Sequence, residues 1–436
     1  MDAARAPVSP SRGGTLRIAL ISLGALVLGL AIGAAAQEFH APWAPRAIAV
    51  LEPVGAMWVN ALRMVVLPLV LANLVLAIGG VPRGRGLGRM TLLSFSSFVG
   101  LLLLGFALTL LVVPPLIRAI RLDPTTFSTF RNAASAGAPV TAGVRGLSQI
   151  LVALVPSNPF RAAADGELLP LLVFTIPFAF AVTRIAEGPR TALLEMTRAV
   201  RDAGGILLSW LLAITPLGVF ALGFVLAART GMTSMSALAW FVAMICGLLL
   251  AYTLIQYPLA VLVGGISPGR FARGVLPAQV VAASTRSSLA ALPALLQGAE
   301  EGAALPREVY GFTLPLAVSV FKLNRSITSL ARMLFLAHLY GITLEPAQIA
   351  AFILTVLLIS FGTAGVPATV GGLNTLPAYV AVGIPAQGVI LLGALDTIPD
   401  VFETILNVTG NMTATTWVAR FRGARPAQVE AVSRAS

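Results

Sequence analysis

The chain has 436 residues, of which 57% are apolar and only 11% charged, with 29 Lys+Arg against 17 Asp+Glu. A soluble protein carries about 25% charge, whereas a mean hydropathy of +0.91 points to a polytopic membrane protein and argues against a soluble enzyme. The single cysteine, Cys246, lies in an apolar run, so no internal disulfide framework and no cysteine-based metal site can form. The arginines punctuate apolar runs instead of gathering into a basic domain, which is how topology signals are distributed and leaves nucleic acid without a binding face.

Residues 1–15 are polar and read as a disordered cytoplasmic tail. The apolar run Ile18–Ala36 is long enough to span and lacks a clean cleavage context, so it predicts a first spanning helix and no signal peptide. Further runs at about 47–80, 91–117, 166–184, 193–227, 235–264, 308–340 and 386–419 bring the spans to eight. Two more segments, about 272–298 and 346–380, are interrupted near their middles by Ser284-Thr285-Arg286-Ser287-Ser288 and Gly362-Thr363-Ala364-Gly365-Val366-Pro367. Such segments make re-entrant hairpins, because irregular backbone survives at membrane depth only where protein or a wet cavity satisfies it. The fold class is therefore an all-α integral membrane protein of eight transmembrane helices plus two opposed re-entrant helical hairpins. Both termini fall in the cytoplasm, residues 421–436 forming a second tail. On this topology Arg83, Arg85 and Arg89, then Arg184, Arg190, Arg198 and Arg201, then Arg270 and Arg273, and last Arg420, Arg422 and Arg425 all lie inside. Arg118, Arg121 and Arg131 are the exception, on the outer side.

Ionisable residues inside apolar segments are concentrated in the last part of the chain: Arg286 in the first hairpin, Lys322, Arg325 and Arg332 in the seventh span, Asp396, Asp400 and Glu403 in the eighth. Lys322 is the only lysine. Each costs roughly 2.5–3.5 kcal/mol at the centre of an inserted helix, so seven left unpaired would approach about 20 kcal/mol. They must meet one another, a ligand or water. Asp396, Asp400, Glu403, Asn407 and Asn411 recur at spacings that put them on one helix stripe, and Lys322, Arg325 and Arg332 share a face of another. An ion-pair lock between helices is one reading of this cluster. Two polar-tipped hairpins aimed at it favour a solute and ion pathway at the midplane.

At these residues the sequence resembles the dicarboxylate/amino acid:cation symporter family, the glutamate-transporter type, from about residue 60 to 420. Matching stretches are Met64-Val65-Val66-Leu67-Pro68-Leu69, Val155-Pro156-Ser157-Asn158-Pro159-Phe160 and Thr215-Pro216-Leu217-Gly218-Val219-Phe220. More specific are Thr285-Arg286-Ser287-Ser288, the 362–367 tip, and Asn407-Val408-Thr409-Gly410 behind Asp396 and Asp400. The resemblance implies a homotrimer in the inner membrane, working as a symporter by an elevator motion. Its scaffold would comprise residues 16–80 (helices 1 and 2) and 142–227 (helices 4 and 5). Its transport domain would comprise 91–118 (helix 3) and 235–420 (helices 6 to 8 with both hairpins). By position, Asp400 matches the acid that holds a substrate ammonium and Asn407 the amide that binds its main-chain carboxylate. Arg286, Ser287, Ser288, Thr363, Gly365, Val366 and Thr404 match the substrate lining, and Arg325 lies near it. Partners are a small solute and membrane lipid, with no cofactor and no resident metal.

Two departures from the family pattern shape the functional expectation. The family's Asn-Met-Asp-Gly-Thr motif, which helps build its sodium sites, falls without gaps on Phe321-Lys322-Leu323-Asn324-Arg325, and a second sodium-ligand aspartate falls on Asn411. Hard cations want several oxygen ligands including carboxylates, so at least two sodium sites are lost. Lys322 and Arg325 then stand in for sodium opposite Asp396, Asp400 and Glu403; at about 4 Å a unit pair is worth about 4 kcal/mol with an effective dielectric near 20. Transport would rest on protons, with Glu403 as a candidate carrier, on residual sodium, on exchange, or only on the solute gradient. Relatives that carry acidic solutes place an arginine where this chain has Glu403, which repels a second carboxylate and turns the site toward neutral or cationic amino acids. Arg325 is the one group placed to restore an anion clamp. A solute-binding sensor without translocation is the competing class. An intramembrane enzyme has no support, since His40 and His338 are far apart and no His-Glu-x-x-His motif occurs.

Overall fold

Apolar runs with no polar interruption build the long helices, and polar or proline-bearing interruptions break the others. The computed structural model describes residues 12–79, 87–119, 155–165, 168–230, 233–361 and 375–422. Among the described residues all regular structure is helical. The helices are α1 (Arg12–Glu38), α2 (Ala44–Gly79), α3 (Leu87–Arg118), α4 (Pro159–Ala164), α5 (Leu168–Val182), α6 (Glu187–Ala213), α7 (Thr215–Thr230) and α8 (Thr233–Leu262). There follow α9 (Pro268–Thr285), α10 (Leu292–Gln297), α11 (Arg307–Val320), α12 (Arg325–Tyr340), α13 (Pro346–Ile359), α14 (Leu376–Ala381), α15 (Ala386–Ala394) and α16 (Pro399–Phe421).

Four described helices contain uninterrupted stretches long and apolar enough to cross a membrane: Ile21–Glu38, Ala44–Leu76, Arg89–Arg118 and Ser236–Leu262. The pair α6 and α7 adds a fifth if taken as one span despite its 52° bend. Three of the eight expected spans are thus not single helices. The 193–227 run bends at Ile214, where Pro216 removes a helix donor. The 308–340 run breaks at residues 321–324, where Phe321 takes an extended conformation. The 386–419 run is divided by a tight turn at Leu395–Thr397 and restarts at Pro399. Such interruptions at depth expose backbone groups for ligand or side-chain contact. At the N-terminus helix begins at Arg12, inside the stretch read as a tail.

Small residues set the closest helix approaches. Gly29 and Gly33 of α1, four apart, lie directly on α7: a Cβ on either would come within 2.5 Å of the carbonyl oxygens of Phe220 and Phe224. Helices α2, α5 and α6 pack beside this pair. A separate set surrounds α16, which touches α3, α8, α9 and α11 and is buried almost without interruption from Leu406 to Ala419.

The first expected hairpin is present and longer than its sequence signature. Helix α9 runs to Thr285, the chain turns through Arg286 in the left-handed region (φ 48°), and α10 returns through a π-helical turn at Gly298–Gly302. The two arms meet through glycine, since a Cβ on Gly298 would sit 1.9 Å from the Gly274 carbonyl oxygen. Gly298→Val should therefore lower the thermal unfolding midpoint in detergent, by the equivalent of about 1–3 kcal/mol of overpacking. Gly311→Ala, inside α11 with nothing within 4 Å of its Cβ, should leave the midpoint unchanged or raise it slightly. Of the expected second hairpin, α13 and α14 are described and pack together, and residues 362–374 between them lie outside the described residues.

Candidate functional site

Three interruptions of helix converge: the tip of the α9–α10 hairpin, the break between α11 and α12, and the turn leading into α16. Arg286 leaves the hairpin tip with its Nε 3.9 Å from an Asp400 carboxylate oxygen, and its Nη1 donates to the Thr397 carbonyl at 3.4 Å. A left-handed backbone at a non-glycine residue is costly and persists where surroundings enforce it; here it delivers a guanidinium to the start of α16. Ser288 beside it is buried, and Ser287 Oγ accepts from the Ala290 N–H at 3.3 Å.

The break at 321–324 is tied to α16 by one residue. The Asn324 N–H donates to Asn407 Oδ1 at 3.0 Å, and its side-chain Nδ2 donates to Glu403 Oε2. Glu403 and Asn407 are one turn apart, so both bonds reach the same face. They also fix the Asn407 amide: with its oxygen committed to Asn324, its NH2 is the group left to donate. Thr404 Oγ1 is buried and donates back to the Asp400 carbonyl at 2.7 Å.

Arg332 and Asp396 form the buried pair of the site, with Arg332 Nη2 at 2.5 and 2.7 Å from the two carboxylate oxygens. This changes both stripes read from the sequence. Asp396 sits in the turn ahead of α16 instead of on the helix with Asp400, Glu403, Asn407 and Asn411. Lys322 sits in the break instead of on a helical face with Arg325 and Arg332. The direct pairing expected for Lys322 and Arg325 is also absent: among the described residues neither has a carboxylate within ion-pair distance, and Arg325 Nη1 is buried without a hydrogen-bond partner. Lys322 lies within electrostatic range of Asp400 and Glu403, and Arg325 within range of Glu403.

Apolar groups fill the surroundings of the break. Leu323 is fully buried against α16, a Cβ on Gly410 lying 2.4 Å from its methyl group. Phe321 stacks on Phe98 of α3 with centroids 4.5 Å apart. Asn411 is fully buried, and its amide oxygen and nitrogen both lack a partner. No carboxylate from residues 321–325 or from position 411 is available to a cation here.

The structure therefore brings together Arg286, Ser287, Asp396, Asp400, Glu403, Thr404, Asn407, Lys322 and Arg325, with Ser288 behind the tip and Asn411 two turns deeper along α16. Thr363, Gly365 and Val366 lie outside the described residues. Sequence reasoning missed Asn324 as the tether between the break and α16, and missed the direct pairing of Arg332 with Asp396. The signal for the first was an amide between Lys322 and Arg325, in an otherwise apolar run opposite carboxylates on another span. Tyr379 of α14 was also missed; its hydroxyl donates to the Ser329 carbonyl at 3.0 Å and holds α14 against α12.

Comparison with known proteins was made over the whole chain. Residues 18–421 match the model described as the sodium:dicarboxylate symporter family. The proton/glutamate-aspartate symporter of Escherichia coli (strain K12) is 28% identical over 407 residues, covering 92% of this chain and 91% of that protein. The proton/sodium-glutamate symport protein of Bacillus subtilis (strain 168) is 26% identical over 393 residues, covering 88% and 89%. A C4-dicarboxylate transport protein of Laribacter hongkongensis (strain HLHK9) is 25% identical over 392 residues, covering 86% and 84%.

Proposed function

The chain belongs to the sodium:dicarboxylate symporter family, an integral membrane secondary transporter and not an enzyme, and from that premise we propose that it moves a small amino acid or carboxylate-bearing solute by an elevator motion without requiring sodium. The observation that carries this reading is the filled break: Leu323 against Gly410 and Phe321 against Phe98 occupy the stretch whose counterpart in the resembling family helps build sodium sites. A bound cation neutralises acids near the midplane. Here Lys322 and Arg325, carried by the protein in the same place, exert that positive field on Asp400 and Glu403. Both groups belong to the protein itself, so no separate ion has to bind to supply the charge.

In this reading α3, α8, both hairpins, α11, α12, α15 and α16 travel together, and α1, α2, α5, α6 and α7 stay in the membrane as the scaffold of a homotrimer with cytoplasmic termini. The packing supports this grouping, since α16 collects α3, α8, α9 and α11 while α1, α2, α6 and α7 collect one another. The solute meets Arg286 and the serines of the hairpin tip, Asp400, Thr404 and the Asn407 amide, with Thr363, Gly365 and Val366 completing the lining. Glu403 disfavours a second carboxylate, so aspartate and C4-dicarboxylates are poor solutes even though relatives are named for glutamate, aspartate and C4-dicarboxylates.

Flux into proteoliposomes tests this directly. Uptake of a neutral or singly charged solute that exceeds uptake of aspartate and succinate supports the reading. Saturable binding with no flux favours a sensor. Tight, sodium-dependent aspartate uptake returns the protein to conventional dicarboxylate symport and overturns it.

A further inference from the structure

The formal charges gathered at the site do not cancel. Arg286, Lys322, Arg325 and Arg332 stand against Asp396, Asp400 and Glu403, a formal excess of one positive charge, and residues 346–395 add no Asp, Glu, Lys, Arg or His. The second hairpin therefore cannot correct the imbalance. An uncompensated charge at depth is costly, so the loaded site is cheapest to move when the solute brings one negative charge.

Hydrogen bonding points the same way. Every carboxylate already faces a donor from the protein: Asp396 takes Arg332, Asp400 faces Arg286, and Glu403 takes the Asn324 amide. Asn407 Oδ1 is likewise occupied, by the Asn324 N–H. Donors, in contrast, are left over. Arg325 Nη1 is buried and unpartnered, and among the described residues neither Lys322 Nζ nor the Asn407 NH2 makes a hydrogen bond. The unpartnered buried amide acceptors near the site, Asn324 Oδ1 and, deeper along α16, Asn411 Oδ1, are neutral, and Asp400 meets its cation only at 3.9 Å. A ligand rich in acceptors satisfies these leftover donors, whereas an ammonium would have to share Asp400 with the guanidinium of Arg286 already beside it.

We propose that the solute is a small monocarboxylate lacking an amino group, such as a 2-hydroxy acid, with its carboxylate held by Arg325, Lys322 and the Asn407 NH2. Arg325 is thereby the specificity-determining residue, taking over anion recognition from the α16 position that Glu403 occupies. The proposal rests on the transporter reading and narrows its solute. Glu403 remains compatible with it, since its charge is engaged by Asn324 and only a second carboxylate would meet it.

The test uses the full-length protein in lipid nanodiscs for binding and in proteoliposomes for counterflow, with three solutes matched in shape: L-lactate, L-alanine and succinate. L-Lactate is expected to bind at least about tenfold more tightly than either of the others. Arg325→Gln should remove most of that preference, and Arg325→Lys should retain part of it. Equal or tighter binding of L-alanine or succinate overturns the proposal, as does an Arg325→Gln protein with unchanged lactate affinity, or failure of all three to bind. The two readings separate cleanly. Counterflow of alanine alone refutes the monocarboxylate and leaves the transporter standing, whereas lactate binding without counterflow refutes transport and upholds the monocarboxylate.

Discussion

An Arg332→Met protein should lose about 3–5 kcal/mol of stability, because it strands the buried Asp396 carboxylate with no charge partner at hydrogen-bond distance. The pair is held at 2.5 and 2.7 Å in a nearly solvent-free setting, where desolvation of both ions has already been incurred and only mutual attraction offsets it. Removing one ion keeps the cost and discards the gain. Replacing both, as in Arg332→Met with Asp396→Leu, should recover most of the loss, since well-packed apolar residues of similar size often match a buried ion pair. Thermal unfolding of the two variants in one detergent decides the matter. A double variant as unstable as the single one would mean that Arg332 acts through packing, not through Asp396.

The second large effect concerns Lys322. Lys322→Met deletes a fixed positive charge that Asp400 and Glu403 feel, and solute binding should fall at least about tenfold, a change of about 1.4 kcal/mol. Lys322→Arg should preserve binding. Adding sodium should not rescue Lys322→Met, because residues 321–325 and Asn411 offer a cation no carboxylate, and the Leu323 and Phe321 side chains offer it no oxygen. Titration calorimetry on wild type and both variants, with and without sodium, reads this out. Binding by Lys322→Met equal to wild type would remove Lys322 from the ion-replacing role.

Much of the architecture was legible because burial in lipid leaves a strong record in sequence. Long apolar runs became α1, α2, α3 and α8 with boundaries close to those expected, and the polar tip at Arg286 became the turn of a hairpin. The interruption at 321–324 left no such record. It contains neither glycine nor proline, and the cause of the break is tertiary: Asn324 gives its N–H and amide to α16 in place of helix. Periodicity assumes an unbroken helix, so it placed Lys322 with Arg332 and Asp396 with Asp400. Both groupings failed at the points where the backbone leaves the helix. Charge content was read correctly and pairing was not, because pairing depends on which side chains reach across the gap. Asn324 went unremarked for the same reason.

The claim that this protein carries its own cation in place of sodium has one direct test, solute binding and uptake measured in sodium and in choline at equal ionic strength. The account predicts the same affinity and the same initial rate in both. A strong requirement for sodium in either quantity would contradict it.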